Sequence, residues 1–185
     1  MKITLELAET ITKNLTVGIK DKITKLEKEI SLRLGDFLKS KVDKKVLDFY
    51  SEFPEFCKIN SYVYLSSHHL KGLLGGRNFT FNPIPTDDKN YSFVESIKTN
   101  QELCNFVVET TNKIYRLEGE RKEISQTLIS TIRSFSTIKK LESGFPEAYK
   151  VFTLEIFPNL PVKPNNSLTI NTTPLIKKIN NLVNS

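Results

Sequence analysis

The chain has no tryptophan, two histidines, two cysteines and one methionine among 185 residues. Each scarcity closes off a kind of chemistry. The cysteines, Cys57 and Cys104, show no CxxC spacing, so the sequence predicts neither a disulfide framework nor a zinc finger but two reduced thiols acting as small hydrophobes. The histidines are adjacent, His68 and His69. Neighbouring side chains in an extended segment point to opposite faces, which makes the pair a poor chelate. No P-loop and no GxSxG occurs, and the glycines at 72, 75 and 76 do not follow the dinucleotide-binding spacing. Long apolar runs are missing too. Met1–Glu6 begins no stretch of signal-peptide length, and no segment approaches the roughly 20 apolar residues that cross a bilayer. The expectation is a non-enzymatic protein without cofactor, metal or membrane span.

What is present is a folded chain. Twelve Phe and six Tyr supply the bulky anchors that disordered segments lack. The formal net charge is +6, spread thinly: residues 1–50 carry 11 basic and 8 acidic side chains, residues 99–150 carry 8 and 7. Such a distribution permits an acidic partner without forming the concentrated basic face of a dedicated nucleic-acid binder.

Hydrophobic spacing predicts a helix from about Leu5 to Leu34, with apolar residues at Leu5, Ala8, Ile11, Leu15, Ile19, Ile23, Leu26, Ile30 and Leu34. Thr4 is its N-cap, Gly18 weakens it, and Gly35-Asp36 breaks or kinks it. A second helix runs from Phe37 through Phe49 and ends before Pro54. Ile59–Ser66 and Phe79–Phe81 are rich in β-formers and read as an antiparallel pair joined by a glycine-bearing loop, with a turn over residues 83–88. A long helix follows from about Asn100 to Phe135. Its seam is Leu103, Phe106/Val107, Thr110, Ile114, Leu117, Arg121, Ile124, Leu128 and Ile132, a coiled-coil alternation broken only at Arg121. A short helix starts at Ile138 behind Ser136 or Thr137 and stops at Gly144, and Pro146 opens another turn. Residues 158–173 read as a linker, and Thr173-Pro174 opens a terminal amphipathic helix.

The fold class is therefore mainly α (α+β): two long antiparallel helices in a hairpin, a small antiparallel β element, and short C-terminal helices. The body covers residues 1–157 with its β insert at about 59–83; residues 158–185 form the linker and terminal helix. A homodimer across the long seam is the alternative to an intramolecular hairpin.

Two places could hold an anion. Gly75-Gly76-Arg77 could offer backbone N–H groups and a guanidinium fork; an ordinary loop is the plainer reading. Arg133, Ser136, Thr137, Lys139 and Lys140 place hydroxyls at a helix start between basic residues, where a phosphate could sit; simple capping explains the hydroxyls as well. Tyr62, Tyr64, Phe79 and Phe81 could stack bases or, more plainly, join sheet to helix. Glu118, Glu120 and Glu123 lie among Arg116, Arg121 and Lys122, as expected of a solvated face. Leu175, Ile179 and Leu182 of the terminal helix either dock on the body or meet a partner.

The stretch Thr127-Leu128-Ile129-Ser130-Thr131-Ile132-Arg133-Ser134-Phe135-Ser136-Thr137-Ile138-Lys139-Lys140-Leu141, followed by Phe145-Pro146-Glu147-Ala148, resembles the fifth of the nucleotide-modification-associated domains, small proteins found largely in phage genomes. The similarity covers roughly residues 1–150. It implies phage origin and a cytoplasmic place in a bacterial host, and it carries over no active site. The function expected is that of a phage accessory protein binding a host macromolecule, a host enzyme or defence component, as an inhibitor. The alternative is a nucleotide- or DNA-binding participant in phage nucleic-acid modification; a structural subunit of a phage assembly is a third reading.

Overall fold

The computed structural model describes residues 1–52, 63–68, 70, 72–81, 84, 90–156 and 172–184. The described part is mainly α-helical with a two-stranded antiparallel sheet. It divides into two compact units, Met1–Thr24 with Arg116–Ser185, and Lys25–Tyr115.

The first unit opens with α1 (Leu5–Leu15), capped by Thr4, whose Oγ1 accepts the Leu7 N–H at 3.2 Å. The expected continuous helix is interrupted at Thr16. Thr16 leaves helical geometry at φ −102° and ψ 7°, and its N–H and its buried hydroxyl both donate to the Thr12 carbonyl at 3.0 Å. Helix α2 (Val17–Lys39) then starts afresh. The apolar stripe survives this break, with Ala8, Ile11, Ile19, Ile23, Ile30 and Leu34 all buried.

The second unit takes over within α2. The expected break at Gly35 does not occur; the helix runs on to Lys39. Gly35 serves close packing instead, since a Cβ there would lie 3.3 Å from the Phe81 ring. Helix α3 (Lys44–Glu52) follows a short turn, and the Asp43 carboxylate caps it by accepting the Lys45 N–H at 2.8 Å. Strands β1 (Val63–Leu65) and β2 (Phe79–Phe81) pair antiparallel, with Val63 opposite Phe81 and Leu65 opposite Phe79. Two short strands need a helix to cover them. Helix α4 (Asn90–Thr99), which the sequence reading did not anticipate, packs on β1 and buries Phe93, Val94 and Ile97.

Asn100 begins α5 (Gln101–Ser134), its Oδ1 accepting the Leu103 N–H at 3.0 Å. The long seam is buried along its length at Leu103, Val107, Thr110, Ile114, Leu117, Ile124, Leu128 and Ile132, and Arg121 is half-buried where the pattern breaks. Back in the first unit, α6 (Ile138–Gly144) and α7 (Pro146–Ile156) pack together, and α1 packs on α7. Phe145 between them is fully buried. Helix α8 (Thr173–Asn184) closes this unit.

Candidate binding surfaces

The sequence marked two turns as anion sites, and the fold treats them differently. In the glycine loop, Gly72, Gly75 and Gly76 adopt positive φ of 84°, 52° and 76°. The loop is fastened to α5. Thr111 Oγ1 donates to the Leu73 carbonyl at 3.2 Å, and the Tyr115 hydroxyl donates to the Gly75 carbonyl. Only glycine fits at 75, because a Cβ there would lie 2.5 Å from Thr111 and 2.6 Å from Tyr115. Arg77 donates through Nε to Glu27 Oε1 at 3.1 Å and through Nη1 to the Gly75 carbonyl at 3.4 Å, with its guanidinium 5.2 Å from the Tyr115 ring centroid. Its side chain keeps 15% of its exposure. The guanidinium is committed to a carboxylate, and the Leu73 and Gly75 carbonyls are held by Thr111, Tyr115 and Arg77. Gly75, Gly76 and Arg77 form a fastened loop.

In the second turn the backbone is committed and the cations are left over. Phe135 folds against Gly144, where a Cβ would come within 2.2 Å of its ring. Thr137 is the N-cap of α6, its Oγ1 accepting the Lys140 N–H at 3.4 Å and its carbonyl the Leu141 N–H at 3.0 Å. The Ile138 N–H donates to the Met1 carbonyl at 3.0 Å, and Lys2 pairs with Thr137 in an antiparallel bridge. Capping and the N-terminal segment thus take most of the donors that a phosphate would have used. Ser136 is exposed and Thr137 half-buried.

The bridge sets Lys2 opposite Thr137, in the turn whose flanks carry Arg133, Lys139 and Lys140. All four are exposed, and none forms an ion pair among the described residues. Glu142, the acid nearest in sequence, faces Tyr149, whose phenol is pushed up by burial and by that carboxylate. No local pattern announces Lys2, because its neighbours lie more than 130 residues further along the chain.

The remaining candidates are accounted for by packing. Phe79 and Phe81 stack on each other at 6.4 Å, Phe81 is buried against Gly35, and Tyr64 is exposed; Tyr62 lies outside the described residues. His68 is exposed, and His69 and Cys57 lie outside the described residues. Cys104 is a buried free thiol with Sγ 3.1 Å from the Ile97 carbonyl, and burial pushes its pKa up, away from a reactive thiolate. Arg116 pairs with Glu120 at 3.1 Å, one helical turn away; Arg116, Glu118, Lys122 and Glu123 lie on the expected solvated face, whereas Glu120 and Arg121 are half-buried, with Glu120 Oε2 and Arg121 Nε enclosed. Ile179 and Leu182 are buried and Leu175 half-buried. Helix α8 lies on α2, where Gly18 leaves room for Val183 and Lys22 Nζ donates to the Leu182 carbonyl at 3.3 Å. Lys178 reaches Glu123 at 4.0 Å. Among the described residues, no three His, Cys, Asp or Glu side chains gather to hold a metal, and no helix is long and apolar enough to cross a membrane.

Set against protein-family models, curated proteins and solved structures, the chain matches none of them.

Proposed function

We propose that this protein is a non-enzymatic accessory protein that binds the acidic surface of a macromolecule through Lys2, Arg133, Lys139 and Lys140. The observation that carries the reading is the Lys2–Thr137 bridge, which joins Lys2 to the turn whose flanks bear the exposed Arg133, Lys139 and Lys140, none of the four forming an ion pair among the described residues. Like charges held together raise the local potential and attract an anionic surface. Because most backbone donors of this turn are spent on capping, the cluster suits a spread of side-chain contacts better than the tight cradle of a free nucleotide. In the bacterial cytoplasm of an infected cell, the setting implied by the resemblance of residues 127–148, the partner is a host protein that the binding would inhibit. We further read α2 and α5 as an antiparallel hairpin. Supporting it are their matched apolar stripes and, within Lys25–Tyr115, the Arg33 guanidinium 4.3 Å above the Phe106 ring.

Co-purification from infected cells tests the function, with the parent compared against Lys139→Glu/Lys140→Glu. An acidic host protein retained by the parent and lost with the double variant is the expected result. Recovery of nucleic acid instead would favour the modification reading, and a partner held equally by both proteins would overturn the assignment to this cluster.

A further inference from the structure

The seam of α5 carries a charge that nothing beside it answers. Within the unit formed by Met1–Thr24 and Arg116–Ser185, the seam positions Leu117, Arg121, Ile124 and Leu128 recur at intervals of four, three and four. The three apolar members are buried, Leu128 completely. Arg121 stands half-buried among them with its Nε enclosed, and it forms no hydrogen bond or ion pair among the described residues. The adjacent carboxylate does not help. Glu120 Oε1 accepts from Arg116 Nε at 3.1 Å, and its Oε2 is enclosed without a partner.

An enclosed donor on a cation with no acceptor lowers stability, and an apolar side chain of similar volume would fill the same place at smaller cost. What such a group contributes is discrimination. A seam of regular three-four alternation matches itself again after a slip of seven residues, and it matches a second copy of the same helix as well. One charge ends that degeneracy. At its present level Arg121 keeps part of its side chain in water, whereas seven residues along, at the level of Leu128, no exposure is left. A parallel pairing of two copies would set Arg121 against Arg121. We infer that Arg121 pins the register of the α5 seam, holding the helix to one packing by making the slipped and self-paired arrangements less stable than the native one.

The full chain and four variants test this by thermal melting, by mass in solution and by the number of amide resonances in a two-dimensional NMR spectrum. Arg121→Leu and Arg121→Met remove the charge and should melt at least about 2 °C above the parent. Each should also lose the single state, seen as a second set of amide resonances or a mass above the parent's. Arg121→Lys keeps a charge on a long stem and should keep one set of resonances and the parent's mass. Lys122→Leu places a leucine at the exposed neighbour, so any association caused merely by a new apolar surface would appear there. It should keep one set of resonances and the parent's mass. Should Arg121→Leu misfold through its branched shape, Arg121→Met, unbranched like the arginine stem, decides. Arg121→Met that fails to fold, or melts at or below the parent, would show that Arg121 adds to stability and would overturn the inference. So would a higher melting temperature with the single state kept, loss of that state in Arg121→Lys, or equal association of Lys122→Leu.

Discussion

The glycine loop and the turn before α6 look alike in sequence: small or hydroxyl residues beside arginine or lysine. Folding gives them opposite fates. At the first, Glu27, 50 residues away, reaches Arg77, and Tyr115 and Thr111 hold the loop by its carbonyls. At the second, the N-terminal segment takes the Ile138 N–H, Thr137 takes that of Lys140, and Lys2, Arg133, Lys139 and Lys140 form no ion pair among the described residues. A basic residue near a flexible-looking turn says little about ligands. What decides is whether an acid distant in sequence is delivered to it.

The comparison can be attacked first at the support of the fastened loop. Thr111 and Tyr115 hold it from α5, and Ile114 on the same helix is completely buried. Ile114→Asp would bury an unpaired carboxylate and should destabilise the protein by about 4 kcal/mol, seen as a large fall in melting temperature. Glu109→Ala, on the exposed side of the same helix, should change stability by no more than about 0.5 kcal/mol. If both variants melt with the parent, α5 does not hold the loop through this seam.

The next largest effect should be at Gly75. Alanine there must tolerate left-handed backbone and also displace Thr111 and Tyr115, for a combined loss of about 2–4 kcal/mol. Gly76 has similar backbone but nothing within 4 Å of a Cβ, so Gly76→Ala should lose only about 1–2 kcal/mol. Chemical denaturation of the pair checks this. Equal losses would mean that the loop is not fastened where Gly75 meets α5.

Much of this architecture was legible in the sequence. The stripes of α1, α2 and α5 were, because a 3.6-residue period is a local property of the chain. The pairing of Val63–Leu65 with Phe79–Phe81 was legible from the β-forming residues of both runs, and the Thr4 and Thr137 caps from hydroxyl residues placed just before apolar stripes. Other features were not, because their causes are tertiary. Gly35 reads as a breaker until Phe81 is seen lying on it, and Gly18 as a weak point until Val183 fills its notch. The first helix ends at Thr16, whose N–H and hydroxyl share the Thr12 carbonyl, an arrangement that no local pattern in the sequence marks. Helix α4 was hidden by the proline- and aspartate-rich stretch before it. The candidate sites were least legible of all: Arg77 was found but its partner was not, and Lys2 joins its cluster only through a bridge to Thr137.

Arg77→Ala comes next in size. The ion pair is partly solvated, with Glu27 at 39% exposure, so losing it together with the contact on Tyr115 should cost about 1–2 kcal/mol. Arg77→Lys should recover only part, since an ammonium cannot serve Glu27 and the Gly75 carbonyl with the same fixed fork. Full recovery by lysine would show that charge alone holds the loop.

The smallest effect on stability, and the most informative for function, should come from the unpaired cluster. Lys139→Glu/Lys140→Glu breaks no ion pair formed among the described residues, so melting should shift by no more than the equivalent of about 0.5 kcal/mol. Binding of the co-purified partner should nevertheless be lost, and for the parent it should weaken as salt rises, as screened contacts do. Lys2→Glu is the sharper variant. Sequence distance separates Lys2 from the others, and only the bridge to Thr137 makes it their neighbour. If the folded junction forms the surface, Lys2→Glu should weaken binding about as much as Lys139→Glu, by several-fold each, with the melting temperature unchanged. If Lys139→Glu weakens binding and Lys2→Glu does not, the contact belongs to the local sequence of α6 and the four-cation surface is wrong. If neither variant matters, the cluster is solvated surface, and its difference from the glycine loop is one of packing alone.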